Sequence, residues 1–203
     1  MQLNNQQKDA LTELINIGFG RAASALSILV EQRVLIETPS VDLYPIMDLG
    51  KVLHILPGNE IISVHQVFTG RIAGTAMLLM DVPSSNSLVD LLNGGEGEVD
   101  PNKEADQAAM QEIGNILLNA FTGSFGNLLQ VHISFTVPFV SYETLDNMLH
   151  SLMINHKELQ FALVVRVNFN VLKGNVSGYV VIILGLQSME SLVESMRVYG
   201  YID

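Results

Sequence analysis

Two pairs of side chains in this 203-residue chain have types and spacing that would let them act together. Glu13 precedes Asn16 by three residues, and Glu112 precedes Asn115 by the same interval. Residues three apart lie on one face of a helix, so each pair would present a carboxylate beside a carboxamide. Such a pair can hold a water molecule or a partner's side chain, but it supplies no nucleophile and no metal. A partner would have to supply the rest of a reaction centre.

The pairs occur at equivalent places in the chain. Asn16 and Asn115 are each followed by a proline 23 residues later, at Pro39 and Pro138. A solvated helix face is the ordinary explanation of a single pair. Solvated residues, however, are normally free to change during evolution. Asparagine is also unfavourable inside a helix, because its side chain competes for backbone hydrogen bonds. The repetition therefore indicates a functional role for both pairs.

The repeat extends over most of the chain. A shift of 99 residues superposes identical residues at Ala10, Glu13, Asn16, Ile17, Leu29 and Pro39. Farther along, a shift of 104 residues does the same for Ser84, Ser87, Leu88 and Val89. The difference between the two shifts falls in loops. We therefore predict one domain over 1–203, built of two repeats at about 1–93 and 104–203, with a linker at about 94–103.

Hydrophobic periodicity predicts the elements that would hold the pairs. Long helices are expected over 9–30 and 104–129. A strand ended by a proline follows each, at 34–37 and 131–137, and then a short helix at 46–55 and 142–153. Each half then has a hairpin, which pairs 60–68 with 71–82 in the first half and 161–169 with 176–184 in the second. A short helix follows each hairpin and is predicted over 84–92 in the first half. A loop is expected over 94–101.

These elements predict an α+β fold. Because hairpins pair neighbouring strands antiparallel, the internally duplicated chain should form a largely antiparallel sheet with a pseudo-twofold axis and two long helices on one face. On the strand over 161–169, one face should be core and the other partly exposed to water. Gly18 and Gly20 interrupt the first long helix, where a glycine costs ~1 kcal/mol relative to alanine. We expect another backbone or a partner protein to come close there.

Composition narrows the class of protein. Hydrophobic residues make up 48% and charged residues 15% of the chain, which excludes disordered and low-complexity classes. Twenty-one acidic against 10 basic residues give a charge of -11, which disfavours nucleic acids and anionic membranes and favours a basic partner surface. The absence of cysteine excludes disulfides and cysteine nucleophiles. Without a secretory signal pattern or an apolar stretch of ~20 residues, we expect a cytoplasmic protein with no membrane insertion.

Other candidate sites have weaker support. The serines lack a GxSxG motif or a plausible histidine partner, and Gly94, Gly95 and Gly97 are not followed by the lysine of a phosphate loop. Five histidines lack the HxxxH and HExxH spacings of metal sites, at His54, His65, His132, His150 and His156. We therefore predict no metal site and no nucleotide cofactor in this chain.

The residues around the first pair resemble the signature of the CheC family of chemotaxis phosphatases, which includes CheX and FliY. The pattern is Asp9-x3-Glu13-x2-Asn16-x22-Pro39, continued by Asn16-Ile17-Gly18-x-Gly20-x-Ala22-Ala23. The second copy, Glu112-Ile113-Gly114-Asn115-x22-Pro138, resembles the same signature. It departs at Ala108, where the family carries an acid or a serine. The resemblance covers nearly the whole chain.

The resemblance implies dephosphorylation of a phosphorylated CheY-type response regulator. A receiver of that class brings its own Mg²⁺ and lysine, so no cofactor is expected in this chain. Each asparagine would hold a water molecule in line with the phosphorus, and each glutamate would pair with the partner's lysine. Asp9 would cap the first helix or contact the partner. Pro39 and Pro138 would shape the strand ends beside the helices.

A non-catalytic adaptor of the same fold is the alternative, and it would bind a response regulator or the receptor deamidase CheD. An adaptor need not keep the asparagines, so the presence of both favours catalysis. The second site differs from the first at Ala108. Asp106 should not replace the missing acid, because two residues of helix turn it about 200° away from the required face.

Overall fold

The computed structural model describes residues 3–53, 60–94, 99–100, 103–155, 159–171 and 174–202. The first half contains α1 (Asn5–Leu29), β1 (Leu35–Pro45), a 3-10 turn (Ile46–Asp48), α2 (Leu49–Leu53), β2 (Glu60–Gly70), β3 (Gly74–Asp81) and α3 (Val82–Leu92). The second half contains α4 (Glu104–Leu128), β4 (Ile133–Phe135), β5 (Phe139–Thr144), α5 (Leu145–Asn155), β6 (Leu159–Val171), β7 (Gly174–Gly185) and α6 (Leu186–Val198). None of the helices in these ranges is long and apolar enough to cross a membrane.

The two halves repeat the order of their elements. Both long helices have 25 residues, and each is followed by strand, short helix, hairpin and helix. Glu31 and Gln130, at matching places after the long helices, both adopt positive φ angles, 52° and 49°. This left-handed conformation is uncommon outside glycine. The repeated order agrees with the repeat seen in the sequence, while an origin by duplication stays a prediction.

The first long helix begins earlier than predicted, at a capping box. The Asn4 side chain accepts a hydrogen bond from the Gln7 backbone N–H at 2.8 Å, and the Gln7 side chain accepts one from the Asn4 backbone at 3.0 Å. These bonds satisfy two of the backbone donors that a helix start leaves free. Asp9 lies one turn farther along and is exposed. The expectation that Asp9 caps this helix is therefore wrong, because Asn4 already does so.

All strand pairs of the described seven-stranded sheet are antiparallel, as predicted. The strand order is β1-β6-β7-β3-β2-β4, and β5 also pairs with β2. The first half therefore lends β1 to the hairpin of the second half, and the second half lends β4 and β5 to the hairpin of the first. We call this arrangement the strand exchange. Pairing of β3 with β7 joins the two hairpins into one continuous sheet.

Apolar side chains cover both faces of the sheet. One face packs under α1, α3, α4 and α6 in a large core that includes Leu78 and Leu163. The other face packs under α2 and α5 in a smaller core that includes their neighbours Leu79 and Val164. Successive strand residues point to opposite faces, so neighbouring residues enter different cores. The two long helices share one face, as predicted, and exposed Arg166 leaves the other face of β6 partly wet.

The prediction that Pro39 ends a strand is wrong, whereas a strand does end before Pro138. The strand over 34–37 continues as β1 through Pro39 to Pro45, with one extra residue between Glu37 and Ser40 relative to β6. The strand over 131–137 is β4, after which β5 resumes just beyond Pro138 and occupies residues 142–144, which were predicted to be helical. A proline lacks the N–H needed for the ladder, so it is tolerated at a bulge or break. Pro39 thus lies at an irregularity within one strand, whereas Pro138 separates two strands.

The long helices cross at Gly18. A Cβ built on Gly18 would lie 3.2 Å from the carbonyl oxygen of Ala120 and 3.2 Å from Cα of Phe121. This close approach of two backbones is what the glycines predicted. Gly20 has no atom within 4 Å of such a Cβ, so no described backbone comes close there, and the approach of a partner protein at Gly20 stays a prediction. Its outer side is open to solvent.

Gly114 provides a test of this packing. A Cβ on Gly114 would lie 2.5 Å from Cγ1 and 2.9 Å from Cβ of Val64, a buried residue of β2. Gly114→Ala should therefore push α4 from the sheet and lower the free energy of unfolding by ~1–3 kcal/mol, measured by chemical denaturation. Gly123→Ala in the same helix is the control, because nothing lies within 4 Å and alanine favours the helix. Equal stability of the two variants would contradict the packing described here.

Candidate functional site

The first pair lies on the solvent-facing side of α1. Glu13 and Asn16 are both exposed. The Asn16 Oδ1 accepts a hydrogen bond from the Thr38 hydroxyl. Thr38 lies at the extra residue of β1, immediately before Pro39, so the bulge brings its side chain to the helix. The structure therefore brings Glu13, Asn16 and Thr38 together beside the Pro39 bulge.

The second pair lies on α4, and its asparagine is less exposed. Glu112 is exposed, whereas Asn115 is half-buried. The Asn119 Nδ2 donates a hydrogen bond to the Asn115 Oδ1 at 2.6 Å. The Asn119 Oδ1 in turn accepts a bond from Nε2 of Gln66 at 2.9 Å, and the same Nε2 donates to the backbone oxygen of Thr136 at 3.0 Å. We call Gln66, Asn119 and Asn115 the amide chain.

The amide chain lies along a groove of about 500 Å³. Glu112 and Asn115 lie on its helix side, and the Phe135–Pro138 segment between β4 and β5 forms its other side. Pro138 is buried, so it forms part of the fixed wall of this groove. Val137 is 78% exposed and Phe135 is 37% exposed. The groove therefore combines polar groups at its base with apolar groups at its rim, which suits recognition of a partner.

The two sites differ at two matched positions on the helices. Asp9 is exposed on the first helix, one turn before Glu13, and Ala108 is exposed at the matching place on the second. Gly20 lies on the first helix at the place where the second has Asn119. The first site therefore has an additional carboxylate but no carboxamide next to Asn16, and the second site has the opposite arrangement.

As predicted, Asp106 does not take the place of the acid that is absent at Ala108. It is 2% exposed and accepts hydrogen bonds from Nδ2 of Asn93 at 3.1 Å and from the backbone N–H of Asp100 at 2.9 Å. Burial raises the pKa of the Tyr142 phenol, and the negative charges of Asp106 and Asp100 raise it further. The Asp106 carboxylate thus attaches the segment between the halves to α4, away from the candidate site.

Thr38, Gln66, Asn119 and Thr136 were not predicted from the sequence to belong to the site. One signal for Asn119 was available, because it follows Asn115 by four residues and so lies on the same helix face. Gln66 lies in a strand that also contains Ser63 and His65, so its residue type alone did not single it out. Its contact with Asn119 was not predictable, because it joins residues from different halves of the chain.

One serine does have a histidine partner, which corrects the expectation from the sequence. The Oγ of Ser63 lies 2.8 Å from Nε2 of His65, and Oε1 of Glu143 lies 3.2 Å from Ser63 Oγ and 3.8 Å from the same His65 nitrogen. In a catalytic triad the acid binds the other ring nitrogen. Ser63 is also fully buried and cannot meet a substrate. The cluster therefore joins β2 to β5 without forming a hydrolase site.

No group of three metal-ligating side chains occurs in the described ranges. His54 and His156 lie outside those ranges, as do Gly95 and Gly97 of the predicted loop. Gly94 ends the α3 region with a positive φ of 77°, which fits its predicted role after a helix.

Comparison with known proteins gives consistent matches. A model of the CheC-like family matches residues 7–42, the segment that holds Glu13, Asn16 and Pro39. The flagellar motor switch phosphatase FliY of Bacillus subtilis is 31% identical over 146 residues, which cover 71% of this chain and 37% of FliY. The CheY-P phosphatase CheC of the same organism is 23% identical over 146 residues, covering 70% of this chain and 68% of CheC.

The fold is also found in a solved structure. The crystal structure of Thermotoga maritima FliY superposes with a TM-score of 0.80 and 22% identity, covering 98% of this chain and all of that one. The match to Bacillus FliY, by contrast, spans little more than a third of that longer protein. These matches agree with the α+β architecture and with the resemblance noted in the sequence.

Proposed function

Since this chain belongs to the CheC-like family, we propose that it removes phosphate from the aspartyl phosphate of a CheY-type receiver by holding the attacking water. The observation that carries the proposal is the paired arrangement of both sites. In each, an asparagine one turn from an exposed glutamate is held through its Oδ1 by a neighbouring donor, beside a proline that interrupts a strand.

The chemistry follows from what these residues provide. Asn16 and Asn115 each retain polar atoms that can hold a water molecule, and a fixed water in line with phosphorus lowers the barrier by positioning. No shifted pKa is needed, because the carboxamide does not titrate. Glu13 and Glu112 would pair with the receiver's lysine and fix the helix against the receiver.

The partner supplies the remaining parts of the reaction centre. The receiver would bring its phosphorylated aspartate, its lysine and the Mg²⁺ ion that neutralises the phosphoryl oxygens. At the second site, the exposed Val137 and Phe135 give the receiver an apolar surface to cover. We place this reaction in the cytoplasm, with no cofactor resident in this chain. Asp9 is proposed to contact the receiver, and Pro39 and Pro138 to shape the two sites.

A phosphate-release assay tests the proposal. Purified protein should accelerate phosphate loss from a Mg²⁺-loaded, phosphorylated CheY-type receiver, and it should not hydrolyse a small phosphate ester such as p-nitrophenyl phosphate. The reason is that the glutamate and asparagine pair is only half of the reaction centre. Fast hydrolysis of the small ester without a receiver would contradict this mechanism.

The same assay separates the enzyme from the adaptor alternative. An adaptor would bind the phosphorylated receiver, or the deamidase CheD, and leave the lifetime of the phosphate unchanged. Binding should therefore be measured in parallel, for example by calorimetry with a receiver stabilised by beryllofluoride. Tight binding without faster phosphate loss would support the adaptor and overturn the proposed activity.

A further inference from the structure

We propose that Gln66 and Asn119 are positioning residues that fix the orientation of the Asn115 carboxamide. In this arrangement the second site holds one fixed set of donors and acceptors, whereas the carboxamide of Asn16 in the first site can turn. The kinetic consequence of this inference rests on the proposed function. The orientation itself does not, and it can be tested separately.

A backbone carbonyl fixes the orientation of the carboxamides in the amide chain. The Thr136 oxygen can only accept, so the Gln66 atom 3.0 Å away must be the nitrogen Nε2. The same nitrogen lies 2.9 Å from a side-chain atom of Asn119, which must therefore be the acceptor Oδ1. This places Nδ2 of Asn119 toward Asn115, 2.6 Å from an atom that must accept, which is Oδ1. One carbonyl therefore determines three carboxamide orientations.

Burial makes this orientation costly to change. Gln66 is 1% exposed, and its Oε1 has no hydrogen-bond partner among the described residues. Reversing the Gln66 carboxamide would place an oxygen against the Thr136 oxygen and leave both acceptors without a donor. A buried unpaired polar group costs ~1–3 kcal/mol. The amide chain therefore turns Oδ1 of Asn115 toward Asn119 and leaves Nδ2 for the groove.

The first site has no equivalent constraint. Asn16 is exposed and binds the Thr38 hydroxyl, which can donate to Oδ1 or accept from Nδ2 after a rotation of its proton. Gly20 stands where the second helix has Asn119, and it offers no side chain to select one orientation. The carboxamide of Asn16 can therefore turn by 180° and keep a hydrogen bond to Thr38.

The kinetic test uses Asn16→Ala as the background, so that only the second site works. In that background Asn119→Asp keeps the size of the side chain and can still accept from Gln66. Its carboxylate cannot donate to Asn115, so Asn115 must turn Nδ2 toward it and present Oδ1 to the groove. We expect kcat to fall about tenfold with little change in KM, because the water is held by the wrong atom.

A charge control accompanies this variant. Asn119→Ala removes the same donor to Asn115 without adding a charge, so kcat should fall in this variant as well. An Asn119→Asp variant with unchanged or higher kcat would overturn the inference. So would an unchanged kcat in Asn119→Ala, since charge and not orientation would then explain the loss in Asn119→Asp.

A second readout needs no phosphatase activity. Nitrogen-15 relaxation of the side-chain amides should show an ordered Asn115 and a more mobile Asn16 in the otherwise unmodified protein. Asn119→Ala should make Asn115 as mobile as Asn16. Equal mobility of the two asparagines before any substitution would overturn the inference even if the protein is an active phosphatase. Ordered Asn115 in a protein without activity would overturn only the proposed function.

Discussion

Replacing both Asn16 and Asn115 with alanine is expected to remove the accelerated phosphate loss, so that the receiver loses phosphate only at its own rate. Each asparagine is proposed to hold the attacking water, and losing a positioned group at both sites should cost on the order of 100-fold or more. The fold should remain, because Asn16 is exposed and Asn115 is half-buried. Turnover and thermal melting of the double variant test both statements.

The single variants separate the two sites. The first site has the exposed Asp9, whereas the second has Ala108, so the second should lack one exposed charged contact and hold its receiver less firmly by ~0.2–1 kcal/mol. Asn16→Ala should therefore reduce activity at low receiver concentration more than Asn115→Ala does. Ser24→Ala, on the exposed side of α1, is the control and should behave like the unmodified protein. Full activity in the double variant would reject the mechanism.

The largest expected loss of stability follows from Phe121→Ala. Phe121 is 1% exposed, and its ring centre lies 5.1 Å from that of Phe19 on α1 and 5.3 Å from that of Phe125. Removing the ring leaves a cavity where the long helices cross, and large-to-small changes of this kind cost ~3–5 kcal/mol. For a domain of this size the melting temperature should fall by roughly 6–20 °C.

Ile28→Ala is the matched control for this variant. Ile28 is also on a long helix but is 77% exposed, so its loss should change the free energy of unfolding by no more than about 0.5 kcal/mol. Calorimetry on both variants would measure the difference. A Phe121→Ala protein as stable as Ile28→Ala would show that the helix crossing does not stabilise the fold as described.

Much of the architecture was predictable because it follows from local pattern. The long helices and the hairpins follow from the spacing of apolar residues and from the glycines and asparagines of the turns. The repeat of Glu13 and Asn16 at Glu112 and Asn115 needed only comparison of the chain with itself. Each asparagine indeed lies on its own long helix, on the same face as its glutamate. The roles of these residues stay predictions.

The features that sequence reasoning missed depend on contacts between distant segments. Pro39 was expected to end a strand, but pairing with β6 carries β1 past it through a bulge. Gln66 was an unexplained polar residue until α4 placed Asn119 within 2.9 Å of it. Local preference cannot reveal such contacts, because their partners come from the other half of the chain and meet only after folding.

The strand exchange has a consequence for how the chain is made. Leu35 of β1 pairs with Asn170 of β6, so a growing chain must wait until most of it has left the ribosome before β1 can join its neighbour. During that interval the unpaired edges of β1 are open to other chains, which favours aggregation. A chain that stops before β6 would never acquire this partner. We therefore expect truncated products to be captured by chaperones or degraded, and neither half to persist as an independent unit.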